Sequence, residues 1–191
     1  MRVIITGIML MLLSSGVSAT HITPEDTVRD TTDEVLARLE TDRLDLEAHP
    51  EHLQTLVQEL IVPHFDFDTM ARLVLGRYWK NLDDSEQIRF ISGFRDLLVQ
   101  RYAYILLSYH NHSITYEPVQ PMGERGYVIV KQIISSEGRP PLPIEYPMRP
   151  LEDGWKVIDL IVDEISLVRN YRKTFQEQIN EKGLEDFIRG F

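Results

Sequence analysis

No cysteine occurs among the 191 residues. That absence excludes a disulfide scaffold, a thiolate metal site, a Cys nucleophile and lipidation on an N-terminal Cys. Basic residues are also scarce: 20 Lys and Arg stand against 30 Asp and Glu, a formal charge of −10. Such a chain lacks the positive footprint that binding to a nucleic-acid backbone requires, and an anionic leaflet repels it. Catalytic signatures are missing too. No G-x-S-x-G, H-E-x-x-H, G-x-G-x-x-G or P-loop pattern occurs in the mature chain. A triad can be assembled from distant residues, so this lowers the case for an enzyme without closing it.

One long apolar run is present, and it stands at the N-terminus. Arg2 precedes an almost unbroken apolar stretch from Val3 to Leu13, too short for a comfortable bilayer span. Val17-Ser18-Ala19 then supplies the small residues a signal peptidase accepts. Residues 1–19 therefore read as a signal peptide cleaved before Thr20, the alternative being an uncleaved anchor. Losing Arg2 with the leader takes the charge from −10 to −11. No later segment is long and apolar enough to span a membrane. Hydrophobic residues at 43% and charged residues at 26% are an ordinary globular balance, so residues 20–191 should form a single domain with a real core.

Helical periodicity dominates the first half. Val28, Val35, Leu36 and Leu39 predict a helix from Pro24 to Leu39, and Leu53, Leu56, Val57, Leu60 and Ile61 a second from Pro50 to Ile61. Asp66 can cap a third carrying Phe67, Met70, Leu73 and Val74, with Gly76 as its left-handed stop. Asp83 and Glu86 have capping-box spacing. They open a helix expected to reach about Ser108, which at ~1.5 Å per residue would be about 35–40 Å long.

After Asn111 the pattern changes. Ser113 to Tyr116, Gly126 to Ser135, Leu142 to Met148 and Trp155 to Val162 read as four strands. Glu137-Gly138 and Asp153-Gly154 mark turns between antiparallel neighbours. Pro140, Pro141, Pro143 and Pro147 push the third strand toward a bulged or edge position. The second strand is apolar on both sides, Tyr127, Ile129 and Ile133 against Val128, Val130 and Ile134. A sheet of this kind must be covered twice or curl around something apolar. Helical spacing returns from Ile165 through Phe175 to Ile179, and a short closing helix carries Leu184, Phe187 and Ile188. The order is that of an α+β domain.

Candidate chemistry is thin. His64, Asp66 and Asp68 alternate as metal ligands on a strand would, but Asp66 sits where a helix needs its cap and Asp68 falls in the first turn. The pairs His49/His52 and His110/His112 lack a carboxylate or thiol at zinc-like spacing. Tyr102, Tyr104, Tyr109 and Arg101 could stack on bases, a role that net acidity argues against.

Three segments carry a resemblance. Pro63-His64-Phe65-Asp66-Phe67-Asp68-Thr69-Met70-Ala71 and Val74-Leu75-Gly76-Arg77-Tyr78-Trp79 resemble the P-x-x-D-F-x-x-M-[AS] and V-L-G-x-x-W signature of the MlaC family. Gln87, Phe90, Phe94, Leu97, Leu98 and Tyr102 are similar to its Q-x-x-F-x-x-x-F-x-x-L-L-x-x-x-Y helix. Gly154-Trp155-Lys156-Val157-Ile158-Asp159-Leu160, then Ser166-Leu167-Val168-Arg169-Asn170-Tyr171-Arg172 and Phe175, resemble its ending. The likeness covers nearly the whole mature chain and weakens before Pro50. One departure is Glu164, where the family commonly has Gly; positive φ at that turn would be strained for Glu.

The resemblance implies helices packed on a highly curved four-stranded antiparallel sheet that encloses an apolar cavity. It implies a periplasmic phospholipid-binding protein, also known as a toluene-tolerance auxiliary protein, with no cofactor beyond its lipid cargo. It implies transport between an outer-membrane lipoprotein–porin complex and an inner-membrane ABC transporter complex with its membrane-anchored substrate-binding subunit, preserving outer-membrane lipid asymmetry. The expected wall of the cavity draws on Val128, Val130, Ile144, Tyr146, Met148, Trp155 and Val157 from the sheet, and on Leu75, Phe94, Leu98, Tyr102 and Ile165 from the helices and their approaches. A monomer is expected. Two competing readings stay open. One is a small-molecule isomerase or dehydratase on a similar α+β cone, with Asp159 or His112 as acid or base; the other is an adaptor that binds protein through an exposed apolar patch.

Overall fold

Each long helix begins at a side-chain cap, as the spacing requires. The computed structural model describes residues 22–108 and 112–191; the expected signal peptide lies outside them. Helix α1 (Pro24–Thr41) starts on a capping box in which Thr23 Oγ1 accepts from the Asp26 amide (3.0 Å) and Asp26 accepts from the Thr23 amide (3.1 Å). A short α2 (Arg43–Ala48) follows; its one buried residue, Leu46, gives too little periodicity to announce a helix in sequence. Helix α3 (His52–Leu60) leads through a 3-10 turn at Val62–His64 to α4 (Phe67–Leu75), capped by Asp66 and stopped by Gly76 at φ +55°. A second 3-10 turn (Gly76–Asn81) precedes α5 (Asp84–Tyr102), which opens on the expected Asp83/Glu86 capping box. This helix is shorter than predicted, about 28 Å at the helical rise, because residues 103–108 tighten into 3-10 turns.

The sheet has six antiparallel strands in place of the expected four, and it is open. They are β1 (Ser113–Met122), β2 (Tyr127–Ser135), β3 (Leu142–Leu151), β4 (Gly154–Val157), β5 (Ile161–Val162) and β6 (Ile165–Ser166). The order is β1-β2-β3-β5-β6, with β4 also paired to β3. The predicted strand from Trp155 to Val162 is broken in the middle. Asp159 Oδ1 accepts from the Leu160 amide (2.8 Å) and so removes that donor from the ladder. Helices α6 (Leu167–Lys182) and α7 (Leu184–Arg189) complete the chain.

The proline-rich strand is central, not an edge, and the bulge falls in β1 between Glu117 and Gln120. Register explains why the prolines are tolerated. A strand residue directs its N–H and C=O to the same neighbour. The carbonyls of Pro143 and Pro147 accept from Asp163 (3.1 Å) and Ile158 (2.8 Å). Their missing donors therefore face the fragmented β4–β5 side, where no continuous partner demands them.

Apolar side chains gather in three clusters. The largest is entirely helical, formed by α4, α5, α6 and α7 around Phe90, Phe94, Tyr171, Phe175 and Phe187. A second joins α1, α2, α3 and the end of α5 through Val35, Leu46, Leu53, Leu56 and Val99. The third belongs to the sheet: Val130, Met148 and Val157, with Val28 of α1 laid over them.

Two carboxylates tie the helices to the sheet. Asp66 accepts from the Thr69 amide (2.9 Å) and hydroxyl (2.7 Å), forms an ion pair with Arg149 of β3 (3.0 Å), and donates its own amide to the Val157 carbonyl (2.9 Å). Asp159 accepts from Val168 at the start of α6 (2.9 Å) and from the Ser166 hydroxyl (2.5 Å), while Ser166 caps Arg169 (3.0 Å). Arg172 then reaches from α6 to the Leu73 carbonyl at the end of α4 (Nε, 2.6 Å).

The β5–β6 loop has two residues, Asp163 and Glu164, at φ +47° and +65°. A tight hairpin of this kind takes Asp readily at its first position and Gly at its second. An L-residue held left-handed costs roughly 1–2 kcal/mol, partly offset by the extra chain entropy of Gly. Glu164→Gly should therefore stabilise the protein by about 0.5–1 kcal/mol, read as a rise in the urea midpoint at unchanged m-value. Asp66→Ala should cost about 2–3 kcal/mol by the same measurement, since it removes a cap and leaves a half-buried Arg149 without its partner.

Candidate functional site

Antiparallel register brings most of the predicted wall onto one face of the sheet. Val128 lies opposite Met148, Val130 opposite Tyr146, Gln132 opposite Ile144, and Met148 opposite Val157. Side chains at alternate positions share a face, so Val128, Val130, Ile144, Tyr146, Met148 and Val157 point the same way, and Trp155 joins their cluster. Val130 and Met148 are fully buried at its centre, whereas Val128, Tyr146 and Trp155 are only half-buried around the margin. Tyr116 and Val119 of β1 extend the margin.

The face is sheltered by α1 and by the turn at 62–64, not by the long helix α5. Val28 sits on the cluster, Arg29 lies 4.1 Å over the Tyr116 ring, and Phe65 bridges to Val157. Leu75, Phe94, Leu98 and Tyr102 face the other way, into the helical core. There Phe94 meets Tyr171 and Phe175 edge-on at 5.4 and 5.9 Å, and Tyr102 sits against Tyr171. Burial, and after it the neighbouring Tyr102 hydroxyl, pushes the Tyr171 phenol well above its ordinary pKa. Ile165 is 66% exposed and stands outside any wall. The reason is strand alternation beside the two-residue loop: Ser166, 3% exposed, takes the inward place to cap α6. The two faces of β2 differ as well, since Tyr127, Ile129 and Ile133 are only half-buried while Val130 and Ile134 are covered.

In the middle of the apolar face lies one polar group that sequence reasoning passed over. Gln132, 2% exposed, donates to Thr32 Oγ1 of α1 (3.1 Å) and to the Tyr116 hydroxyl (3.1 Å), and its carbonyl accepts from Tyr146 (2.7 Å). Each of its polar atoms is satisfied, as a buried amide must be to avoid a penalty of roughly 1–3 kcal/mol. The alternation Val128, Val130, Ile134 contained the signal, because position 132 falls in the same row.

Asp159 has both carboxylate oxygens committed to the α6 start, and His112 lies half-buried just ahead of β1. Asp66 caps α4, and Asp68 pairs with Arg72 (2.8 Å). Among the described residues no group of three His, Asp or Glu is placed to hold a metal, and no helix is long and apolar enough to cross a membrane. Two surface openings lie away from the sheet face. One, of about 710 Å³, runs between α5, α6 and α7 past Leu97, Phe175 and Phe191; the other, of about 440 Å³, lies at the β1–β2 turn.

Fold and face together define a class of α+β protein in which one side of an antiparallel sheet is kept apolar and sheltered, joined to the main helical core chiefly at Phe65. A family model described as MlaC protein matches residues 29–191, and the chain belongs to that family. It is 22% identical over 188 residues to the intermembrane phospholipid transport system binding protein MlaC of Haemophilus influenzae, covering 97% of this chain and 88% of that one. It is 26% identical over 163 residues to the toluene tolerance protein ttg2D of Pseudomonas putida, covering 84% and 75%. Among solved structures it is similar to a phospholipid-binding protein of Ralstonia solanacearum in complex with a phospholipid. The TM-score is 0.79 at 26% identity, over 87% of this chain and 92% of that chain.

His64 edges the face from the 62–64 turn. Burial lowers its pKa below the ordinary 6.5, and the charge of Lys156 lowers it further. The folded state thus resists protonation that the unfolded chain accepts. The resulting cost is absent above about pH 6.5 and grows as pH falls through that value toward the folded pKa. His64→Gln should flatten the stability–pH curve across that window, measured as urea midpoints between about pH 5 and 7.5.

Proposed function

We propose that the chain is a periplasmic phospholipid carrier, delivered by the leader at residues 1–19 and acting as a monomer between an outer-membrane complex and an inner-membrane ABC transporter complex. The observation that carries the proposal is the divided core. The inner sheet face is apolar, its margin is only half-buried, and its cluster meets that of the helices through the half-buried Phe65. A bound lipid would cover the half-buried margin at Val128, Tyr146 and Trp155 and, by entering, reach Val130, Ile144, Met148 and Val157. The phospholipid in the Ralstonia relative supports the cargo, and the phospholipid transport and toluene tolerance names of the other relatives support the pathway.

Energetics explain why such a carrier is needed. Burying one CH₂ is worth ~0.8 kcal/mol, so a phospholipid with about thirty methylenes faces roughly 25 kcal/mol in crossing water bare. That value approaches the ceiling of non-covalent affinity. A carrier therefore matches the bilayer instead of exceeding it, and loads and unloads while docked. An isomerase or dehydratase reading has no support in the placement of Asp159.

Mass spectrometry of lipid extracted from the purified protein is the direct test. Stoichiometric glycerophospholipid is expected, and protein isolated from cells free of it would end the proposal. Tyr146→Trp and Val130→Trp each add bulk to the face. Both should keep the far-ultraviolet circular dichroism of the parent and lower co-purifying lipid several-fold, corresponding to about 1 kcal/mol of lost fit. Unchanged lipid in both would remove these residues from the wall.

A further inference from the structure

In a chain of net charge −10, two stretches carry cations and no carboxylate. Residues 69–82 hold Arg72, Arg77 and Lys80, and residues 165–176 hold Arg169, Arg172 and Lys173. The fold sets the two stretches side by side. Helix α4 packs on α6, Arg172 holds the Leu73 carbonyl, and the Tyr78 hydroxyl donates to Asn180 (3.1 Å). Gly76 passes so close beneath Arg172 that a Cβ there would stand 3.8 Å from the guanidinium.

Two of the six cations are held by a carboxylate or a backbone carbonyl, and Arg77 donates to the neighbouring Tyr78 hydroxyl (2.9 Å) with its guanidinium 4.9 Å from that ring. Arg72 pairs with Asp68 and lies 5.6 Å over the Trp79 ring, and Arg172 closes the end of α4. The other four, Arg77, Lys80, Arg169 and Lys173, are exposed and form no ion pair among the described residues. On α1, α2 and α7 the arginines Arg29, Arg38, Arg43 and Arg189 each pair with a carboxylate three or four residues away; what sets the α4–α6 corner apart is that six cations gather there. In sequence, carboxylates return at the borders, Asp68 and Asp83 around the first stretch, Asp163 and Glu164 before α6 and Glu177 within its second half.

We propose that this corner of α4 and α6 is the docking surface for an acidic face of a partner protein. The inference rests on the carrier reading, which requires docking, and names the face that does it. An extended anionic bilayer is the poorer occupant, because it repels the whole charge of −10. A compact acidic patch senses mainly what lies within a Debye length, about 8 Å at physiological salt. The composition also fits a protein interface, where Arg, Tyr and Trp are enriched: Tyr78 and Trp79 lie among the arginines.

The test uses the full mature chain and the triple variant Arg77→Glu, Lys80→Glu, Lys173→Glu. The neutral pair Lys80→Gln, Lys173→Gln serves as a second variant should the charge reversals impair folding. A poly-glutamate peptide is titrated into the parent while amide NMR shifts are followed. Shifts confined to residues 69–82 and 165–176 are expected, with affinity falling about tenfold between roughly 0.02 and 0.2 M salt. The variants should lose this binding while keeping their phospholipid. In cells deleted for the native copy, the triple variant should fail to restore solvent tolerance.

Shifts elsewhere, unchanged binding by the folded variants, or full restoration of tolerance by the triple variant would overturn the inference. So would sedimentation of the parent with phosphatidylglycerol vesicles through the same residues, which would put a membrane there. Absence of lipid from the parent would strike the carrier reading alone, leaving the peptide result as a separate outcome.

Discussion

The joint at Asp66 decides how the two halves of the molecule meet. One carboxylate satisfies the start of α4 and pairs with Arg149, while the same residue's amide binds the Val157 carbonyl. Asp159 does the corresponding work for α6 from the other side of the break in the sheet. Helices α4 and α6 are then locked to each other by Arg172. The sheet is thus hung from the helical half mainly by polar attachments along one border, with Phe65 as the apolar link between the two clusters. That leaves its apolar face free of the interdigitated rings that fill the helical core.

Polar attachment has an energetic logic. If hydrophobic packing joined the halves, the sheet face would collapse onto α5 and be lost to any ligand. Hydrogen bonds and ion pairs fix orientation at a net gain of only about 1 kcal/mol each. They can hold two layers apart where packing would pull them together. Gln132 plays a local version of this part by fastening α1 across the face through Thr32.

Much of the fold was legible in sequence because caps and turns announce themselves. Asp66 and Asp83 begin helices where their spacing placed them, and Gly76 ends one; the caps Thr23 and Ser166 emerge only from the structure. Strand register could not be read in the same way. The break at Asp159 depends on a side chain bonding its neighbour's amide, and the central position of β3 on which neighbour the proline carbonyls face. For the site, period-two alternation put Val128 and Val130 on one face, and strand register brings Tyr146 and Met148 to that same face. Helical periodicity found apolar stripes on α4 and α5 without saying what they touch. Leu75, Phe94, Leu98 and Tyr102 accordingly turn out to serve the helical core. Gln132 was missed because a polar residue in an apolar row reads as an interruption until its three partners are seen.

The sheet's two borders have a further consequence. At one, β1 carries Pro118, Pro121 and a bulge; at the other, β5 and β6 are two residues long. Neither offers a continuous ladder of free amides to an incoming chain. A molecule that keeps an oily surface in reserve runs a standing risk of recruiting its own copies, strand upon strand, into fibres. Here the interior prolines and stunted margins deny such growth a template, so stickiness toward a guest is retained without polymerisation.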